Sequence, residues 1–314
     1  MIHAATLFSG SSGNSTLLYT EKTAVLIDAG RSCKAVCTSL AALGKTLSDI
    51  DAVFVTHEHS DHISALDVML RKRRIPVHVT AASAAELCKV PAAAACAVIH
   101  DAPYFSEAVG DMVINAFPLP HDSRCHVGYV AVDADGDRAG VATDMGRITP
   151  EARSALSGCR QVVTEANHDV EMLRCGRYPY ALKKRILSGT GHLSNDDCAV
   201  WCRLLAEGGT RAIMLAHLSL DNNDPGMAFA AVRRELPIDV CVFDSADRPN
   251  LRLDDRELEA IMEREFGSVR RRQYTAPARS DRAATAQPPL SVDGVTNAST
   301  TLVAPRSNQL CAQT

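Results

Sequence analysis

A chain of 314 residues can hold one large domain or two small ones, and a hydrophobic share of 46% supplies a sizeable core. A net charge of −4 with a pI near 6.3 gives no general attraction to nucleic acid or to a membrane surface, and leaves room only for a local basic patch. No run of about 18 apolar residues is present to span a bilayer. The opening Met1-Ile2-His3-Ala4 has neither the basic region nor the apolar stretch of a signal peptide. The eleven cysteines are irregularly spaced, several at apolar positions such as Cys198, Cys202 and Cys241, so they read as small hydrophobes in a reduced, cytoplasmic chain. No C-x-x-C pair suggests a zinc ribbon.

In chain order, residues 4–8 begin a strand that turns through Ser9-Gly10-Ser11-Ser12-Gly13-Asn14-Ser15 and returns over 16–19. This loop has two readings. It is an ordinary hairpin turn, or a backbone that approaches a ligand closely, with Ser11 and Asn14 against a substrate phosphate. Residues 24–30 form a buried strand bearing Asp28, a carboxylate placed to cap a helix over 32–43. The apolar run Ala52-Val53-Phe54-Val55 is the next strand, and Thr56-His57-Glu58-His59-Ser60-Asp61-His62 follows it directly, ahead of helical text over 63–74. His57 and His59 share a side of an extended segment, and a turn can swing Asp61 and His62 toward a second point nearby. Neutral imidazoles with a carboxylate suit zinc, and also manganese or iron. The competing reading is a polar helix start with Asp61 as its cap; three imidazoles in seven residues weigh against it.

The H-x-H-x-D-H pattern resembles the signature of the metallo-β-lactamase superfamily. The resemblance implies an α/β fold, a four-layer αββα sandwich of that type, and the alternation of strands and helices in both halves suits it. The expected catalytic domain covers residues 1–266. From 267 to 314 the text has no apolar period and is expected to be disordered. The resemblance also makes Asp28 a group that orients metal ligands rather than a cap. His121, closing the strand of 111–119, becomes the third histidine of the first metal. Asp144, closing the strand of 138–143, fits a carboxylate shared by two metals.

Farther on, residues 161–166 form a strand ending in Glu165-Ala166-Asn167-His168-Asp169, where His168 and Asp169 are either ligands or the start of a helix. A helix over 180–187 carries Lys183-Lys184-Arg185. In Gly189-Thr190-Gly191-His192-Leu193-Ser194-Asn195, Ser194 or Asn195 caps a helix over 196–206, and Ser194 is also a candidate phosphate contact. The strand of 211–216 ends at His217, and a helix over 225–235 precedes a strand at 239–243.

The expected ligand set is thus His57, His59 and His121 on one ion, and Asp61, His62 and His217 on the other, with Asp144 between. Two divalent ions about 3.5–4 Å apart can hold a bridging hydroxide, with Asp61 taking the water's proton. The segments around Ser9–Ser15, Glu165–Asp169, Gly189–Asn195 and His217 are similar to the YycJ/WalJ family, a cytosolic branch related to the RNase Z and RNase J nucleases. That resemblance, over roughly residues 1–250, implies a nuclease acting 5′-to-3′ on DNA. It makes His192 the extra histidine near the phosphate, as a transition-state stabiliser or general acid; the plainer reading is a histidine at a helix start. About seventy residues between Asp144 and His217 are too few for the inserted domain of RNase J-type enzymes. Two readings compete with the nuclease: a small-molecule hydrolase of a thioester, lactone or cyclic phosphodiester, and a metal-bound regulatory module without turnover. Aromatics at 4% mildly favour the former. No membrane or protein partner is implied.

Overall fold

Every side chain of the strand Ala24–Ile27 is buried, and the period of two sends alternate ones to different cores. Ala24 and Leu26 pack with Val36, Leu40 and Met69, which lie on helices. Val25 and Ile27 pack with Ile114, Tyr129 and Val141, which lie on strands. A strand covered on both faces in this way is an inner layer of a stack. The computed structural model shows that stack; it describes residues 1–233, Leu236, and the backbone of 239–244 and 248–251. The expected disordered tail and the last part of the expected catalytic domain lie outside the described residues.

Among the described residues, one sheet has six strands hydrogen-bonded in sequence order: β1 (His3–Phe8), β2 (Ser15–Tyr19), β3 (Ala24–Ile27), β4 (Ala52–Phe54), β5 (Val77–Thr80) and β6 (Ala97–His100). The other has eight, again adjacent in sequence order: β7 (Ser106–Val109), β8 (Met112–Leu119), β9 (His126–Asp133), β10 (Arg138–Ala142), β11 (Gln161–Glu165), β12 (Ala212–Ala216), β13 (Asp239–Asp244) and β14 (Arg248–Leu251). The first half carries α1 (Cys33–Ala42), α2 (Ser60–Ile63), α3 (Leu66–Lys72), α4 (Ala81–Leu87) and α5 (Pro91–Ala94). The second carries α6 (Pro150–Leu156), α7 (Val170–Cys175), α8 (Tyr180–Ile186), α9 (Asn195–Glu207) and α10 (Pro225–Arg233). Helices α1, α3 and α4 cover the first sheet through Val36, Leu40, Met69 and Leu87. Helices α6, α9 and α10 cover the second through Leu156, Trp201 and Phe229. The architecture is the four-layer αββα sandwich. No helix among the described residues is long and apolar enough to cross a membrane.

Two features depart from expectation. The helical text over 63–74 is two helices, because the Ala65 amide donates to the Ala29 carbonyl (2.8 Å) instead of continuing the helical ladder. Strands β6 and β7 have no clean apolar alternation, and both lie at the edge of a sheet.

The strand tips that matter lie at the C-terminal ends of parallel neighbours, β3 with β4 and β10 with β11 and β12. Backbone bonds lock these tips together: Asn14 N–H to Asp61 O at 2.7 Å, Gly30 N–H to Asn14 O at 2.8 Å, and Ala29 N–H to His62 O at 2.8 Å. Gly30 is required by this close approach, since a Cβ there would lie 1.9 Å from the Asp61 carbonyl. Gly30→Ala is therefore expected to destabilise by about 1–3 kcal/mol, the usual cost of overpacking, with the melting temperature falling by several degrees. Calorimetry checks this, and an unchanged transition contradicts the locked-tip account.

Candidate metal centre

Three of the predicted site residues stand where a strand ends in the left-handed backbone region that non-glycine residues avoid: Asp28 (φ 63°), Asp144 (φ 58°) and His217 (φ 54°). Such strain clusters where a side chain must be aimed: Asp144 and His217 line the cleft at the sheet edges, and Asp28 meets Thr56 and His62 behind it.

The first group is His57, His59 and His121, which can hold one metal ion. Nε2 of the fully buried His57 lies 2.8 Å from Nδ1 of His59. The ring planes of the three meet at 72–77°, so their in-plane lone pairs converge instead of stacking. Burial holds the His57 imidazole well below its usual pKa and lowers His121 as well. Both are therefore neutral, as metal ligation requires. The Nδ1–H of His121 donates to the Gly191 carbonyl at 3.3 Å, and its Nε2 lies 3.2 Å from Asp122 Oδ1.

The second group is Asp61, His62 and His217. His62 Nε2 lies 3.4 Å from Asp61 Oδ2 and 3.6 Å from Asp144 Oδ2, and His217 Nε2 lies 3.1 Å from Asp144 Oδ1. Burial opposes ionisation of Asp144, but His217, His62 and the other surrounding histidines hold its pKa well below the usual carboxylate range. Asp144 Oδ2 and His217 Nε2 are both buried without a hydrogen-bond partner. Buried polar atoms are rarely left so, and a divalent cation is the partner that suits a carboxylate oxygen and an imidazole lone pair together. The residues present therefore fit the metal that the donor set implies.

Around these groups a buried network fixes which nitrogen of each imidazole faces the site. Asp28 accepts from the Thr56 amide and from the Thr56 hydroxyl (both 2.8 Å), and from His62 Nδ1–H (2.8 Å). With its proton committed to Asp28, Thr56 Oγ1 can only accept from His57 Nδ1–H, at 3.0 Å. Asp28 thus fixes the ring of His62 directly and that of His57 through Thr56, and Ser32 rather than Asp28 caps α1.

His126, which had no role in the sequence, adds to this network. Its Nε2–H donates to the Thr143 carbonyl at 2.7 Å, so Nδ1 is a lone pair, and it lies 3.1 Å from His57 Nδ1. Burial pushes the His126 pKa down to about 3, which keeps the ring neutral. Cys125 packs against the core between the sheets, and its backbone carbonyl accepts from Ser83 Oγ at 3.2 Å.

Glu165 is the other residue missed. Fully buried, it accepts from Met145 N–H (2.7 Å) and Leu193 N–H (3.0 Å) through Oε1, and from His192 Nδ1–H (3.0 Å) through Oε2. Burial favours the neutral acid, yet His192 and His217 carry its pKa down to about 2. Burial likewise disfavours the His192 imidazolium, but Glu165 and Asp144 outweigh it and raise the pKa to about 9. The only sequence signal was position: a carboxylate closing an apolar strand, as Asp28 does.

Two of the expected phosphate contacts are corrected. Asn14 is buried, and its amide donates to Asp61 Oδ2 (3.1 Å) beside His62 Nε2 (3.0 Å), so it steadies a ligand instead of facing substrate. Ser194 Oγ accepts from Asp197 N–H at 3.1 Å and donates to Asp197 Oδ2 at 2.7 Å, as the N-cap of α9. Ser11 is exposed and lines the cleft. His168 is buried and belongs to neither ligand group, its Nδ1 lying 3.3 Å from Asn167 Oδ1, and Asp169 caps α7 through Met172 N–H at 2.8 Å. The cleft has a volume of about 290 Å³ and is lined by His59, Asp61, His121, Asp144, His192 and His217 among others.

His126→Phe preserves an aromatic ring but removes the acceptor that faces His57. Metal affinity is expected to fall about 10–100-fold, as for other partners of ligating histidines. Competition against a chelating dye measures this, and an unchanged affinity would remove His126 from the network.

A family model described as the beta-lactamase superfamily domain matches residues 23–218. Exodeoxyribonuclease YycJ of Bacillus anthracis is 35% identical over 240 residues, covering 75% of this chain and 89% of that protein. Exodeoxyribonuclease WalJ of Streptococcus pneumoniae serotype 2 (strain D39 / NCTC 7466) is 34% identical over 250 residues, covering 76% and 93%. Among solved structures, the metallo-beta-lactamase fold protein YhfI from Bacillus subtilis superposes with a TM-score of 0.60 at 14% identity, covering 78% of this chain and 98% of that one, a likeness of fold. The ligand groups and these relatives together show that the chain belongs to the metallo-β-lactamase superfamily, in the YycJ/WalJ branch, and is a metal-dependent hydrolase.

Proposed function

We propose that the chain is a dinuclear metal-dependent nuclease that hydrolyses DNA phosphodiesters, working 5′-to-3′. The observation that carries the reading is the ion pair of His192 with Glu165 at 3.0 Å, set in the same cleft as the two ligand groups. A hydrolysis of phosphodiesters needs a base for the attacking water and an acid for the departing sugar oxygen. Asp61, with a side chain 24% exposed, is the ligand carboxylate with the most access to a water in the cleft and acts as the base. His192, charged by Glu165, donates its remaining proton to the oxygen that leaves when the phosphorus–oxygen bond breaks. Divalent ions, zinc or manganese, supply Lewis-acid polarisation of the phosphate and a lowered water pKa when bound. The relatives named exodeoxyribonucleases support DNA as the substrate.

We place the protein in the cytoplasm, a reading supported by Cys198 and Cys202, whose sulfurs lie 3.7 Å apart as free thiols. The competing reading is a small-molecule hydrolase, favoured by a cleft volume of only about 290 Å³, which admits a single nucleotide-sized group. Two ligand groups joined by one carboxylate are more than a regulatory module requires.

Incubation of the purified protein with manganese or zinc and end-labelled DNA, beside thioester and lactone substrates, separates the readings. DNA loss is expected, abolished by EDTA and by Asp61→Asn. His192→Ala is expected to slow cleavage by about 10²–10⁴-fold, the range for a general acid, while metal content stays the same. Thioester or lactone turnover with intact DNA contradicts the nuclease.

A further inference from the structure

Helix α8 has no buried residue, although it contains Tyr180, Leu182, Ile186 and is followed by Leu187. Tyr180 is 82% exposed and Leu187 45% exposed. Helical spacing divides α8 into two working faces. Leu182, Arg185 and Ile186 line the metal cleft. Tyr180, Lys183, Lys184 and Leu187, with Arg174 and Ser188, line a separate hollow of about 510 Å³ on the other side. The helix is therefore a ridge between the catalytic cleft and a second cavity that is aromatic and cationic.

The ridge is held firmly. Lys183 Nζ donates to the Arg174 and Gly176 carbonyls, both at 2.7 Å, which ties α8 to the end of α7. The His192 amide donates to the Ile186 carbonyl at 3.0 Å, so the end of α8 also supports the loop that carries the proposed acid. Arg185 pairs with Asp122 at the lip of the cleft. Lys184 makes no ion pair or hydrogen bond among the described residues, and its charge is left to the outer hollow.

We propose that α8 is the track for the single-stranded part of the substrate, with Tyr180 stacking on an unpaired base and Lys184 meeting the phosphate beside it. The proposal rests on the nuclease reading and adds where the chain beyond the scissile phosphate lies. A nearly free tyrosine ring beside the unpaired charge of Lys184, with Arg174 held by Glu171 at 3.0 Å, suits a polynucleotide, whose bases stack without regard to sequence and whose backbone is anionic. In a chain with net charge −4, such a patch one helix away from the metal ligands is complementary to that occupant. A duplex end presents no unpaired base to Tyr180, so the track selects single strands.

The test compares Tyr180→Ala, Tyr180→Phe and Lys184→Ala in the metal-loaded protein. Substrates are a fluorescent single-stranded oligonucleotide and bis(p-nitrophenyl) phosphate, which is too small to extend from the cleft to the outer face of α8 that carries Tyr180 and Lys184; oligonucleotide binding is also read by anisotropy against salt. Tyr180→Ala is expected to raise KM and Kd for the oligonucleotide about tenfold, within the range for loss of one stacked base, and Tyr180→Phe to leave both near wild type. Lys184→Ala is expected to reduce the slope of log K against log salt by about 0.7, the value for one phosphate contact on a single strand. Turnover of the small ester stays the same in all three. Unchanged oligonucleotide binding in both alanine variants overturns the track while leaving the nuclease intact, and an equal loss on the small ester overturns it by showing a general structural effect. Wild-type protein that binds the oligonucleotide with this Tyr180 dependence yet never cleaves it overturns the nuclease and keeps the track; wild-type protein that does not bind it overturns the track.

Discussion

A buried carboxylate oxygen without a donor is costly, and Asp144 holds one at the junction of the two histidine groups. Its backbone is in the left-handed region, its other oxygen lies 3.1 Å from His217, and the unpartnered one lies 3.6 Å from His62. Nothing else among the described residues satisfies it. The remainder of the site is arranged so that a cation can: histidines kept neutral by burial on one side, a ligand carboxylate with solvent access on the other.

That arrangement depends on the sandwich more than on any loop. β10, β11 and β12 are parallel neighbours whose C-terminal tips supply Asp144, Glu165 and His217, and β3 and β4 do the same with Asp28 and His57. Both inner sheet faces share one core, with Ile27, Phe54, Tyr129 and Val163 packed together, so the two sets of tips cannot shift independently. Rigid tips bring buried polar side chains within hydrogen-bond range of each other. The chain from Asp28 through Thr56 to His57, with His126 behind it, then needs no flexible segment to hold a tautomer.

The fold and most of the residues that the structure gathers into candidate ligand groups were legible in the sequence, for reasons that differ by residue. His57, His59 and His62 were legible locally, because spacing along one loop is enough to bring imidazoles together. His121, Asp144 and His217 are single residues at distant strand tips, and only resemblance to a known pattern could select them. Asn14 was misread because its loop folds back on Asp61, a contact between residues 47 apart that the turn composition does not reveal. Glu165 and His126 were invisible for a related reason. A buried carboxylate looks like any polar strand end, and His126 acquires its partner through the register that sets it opposite Leu119, close to His121. Short edge strands such as β6 lack the alternation that makes a strand readable.

The central claim is that two ions sit in one cleft with Asp144 between them. A crystal of the metal-loaded protein, measured at the absorption edge of the bound metal, tests it most directly. The account predicts two anomalous peaks, one among His57, His59 and His121 and one among Asp61, His62 and His217, with an oxygen of Asp144 turned to each. A single peak, or Asp144 facing away from both groups, would contradict it.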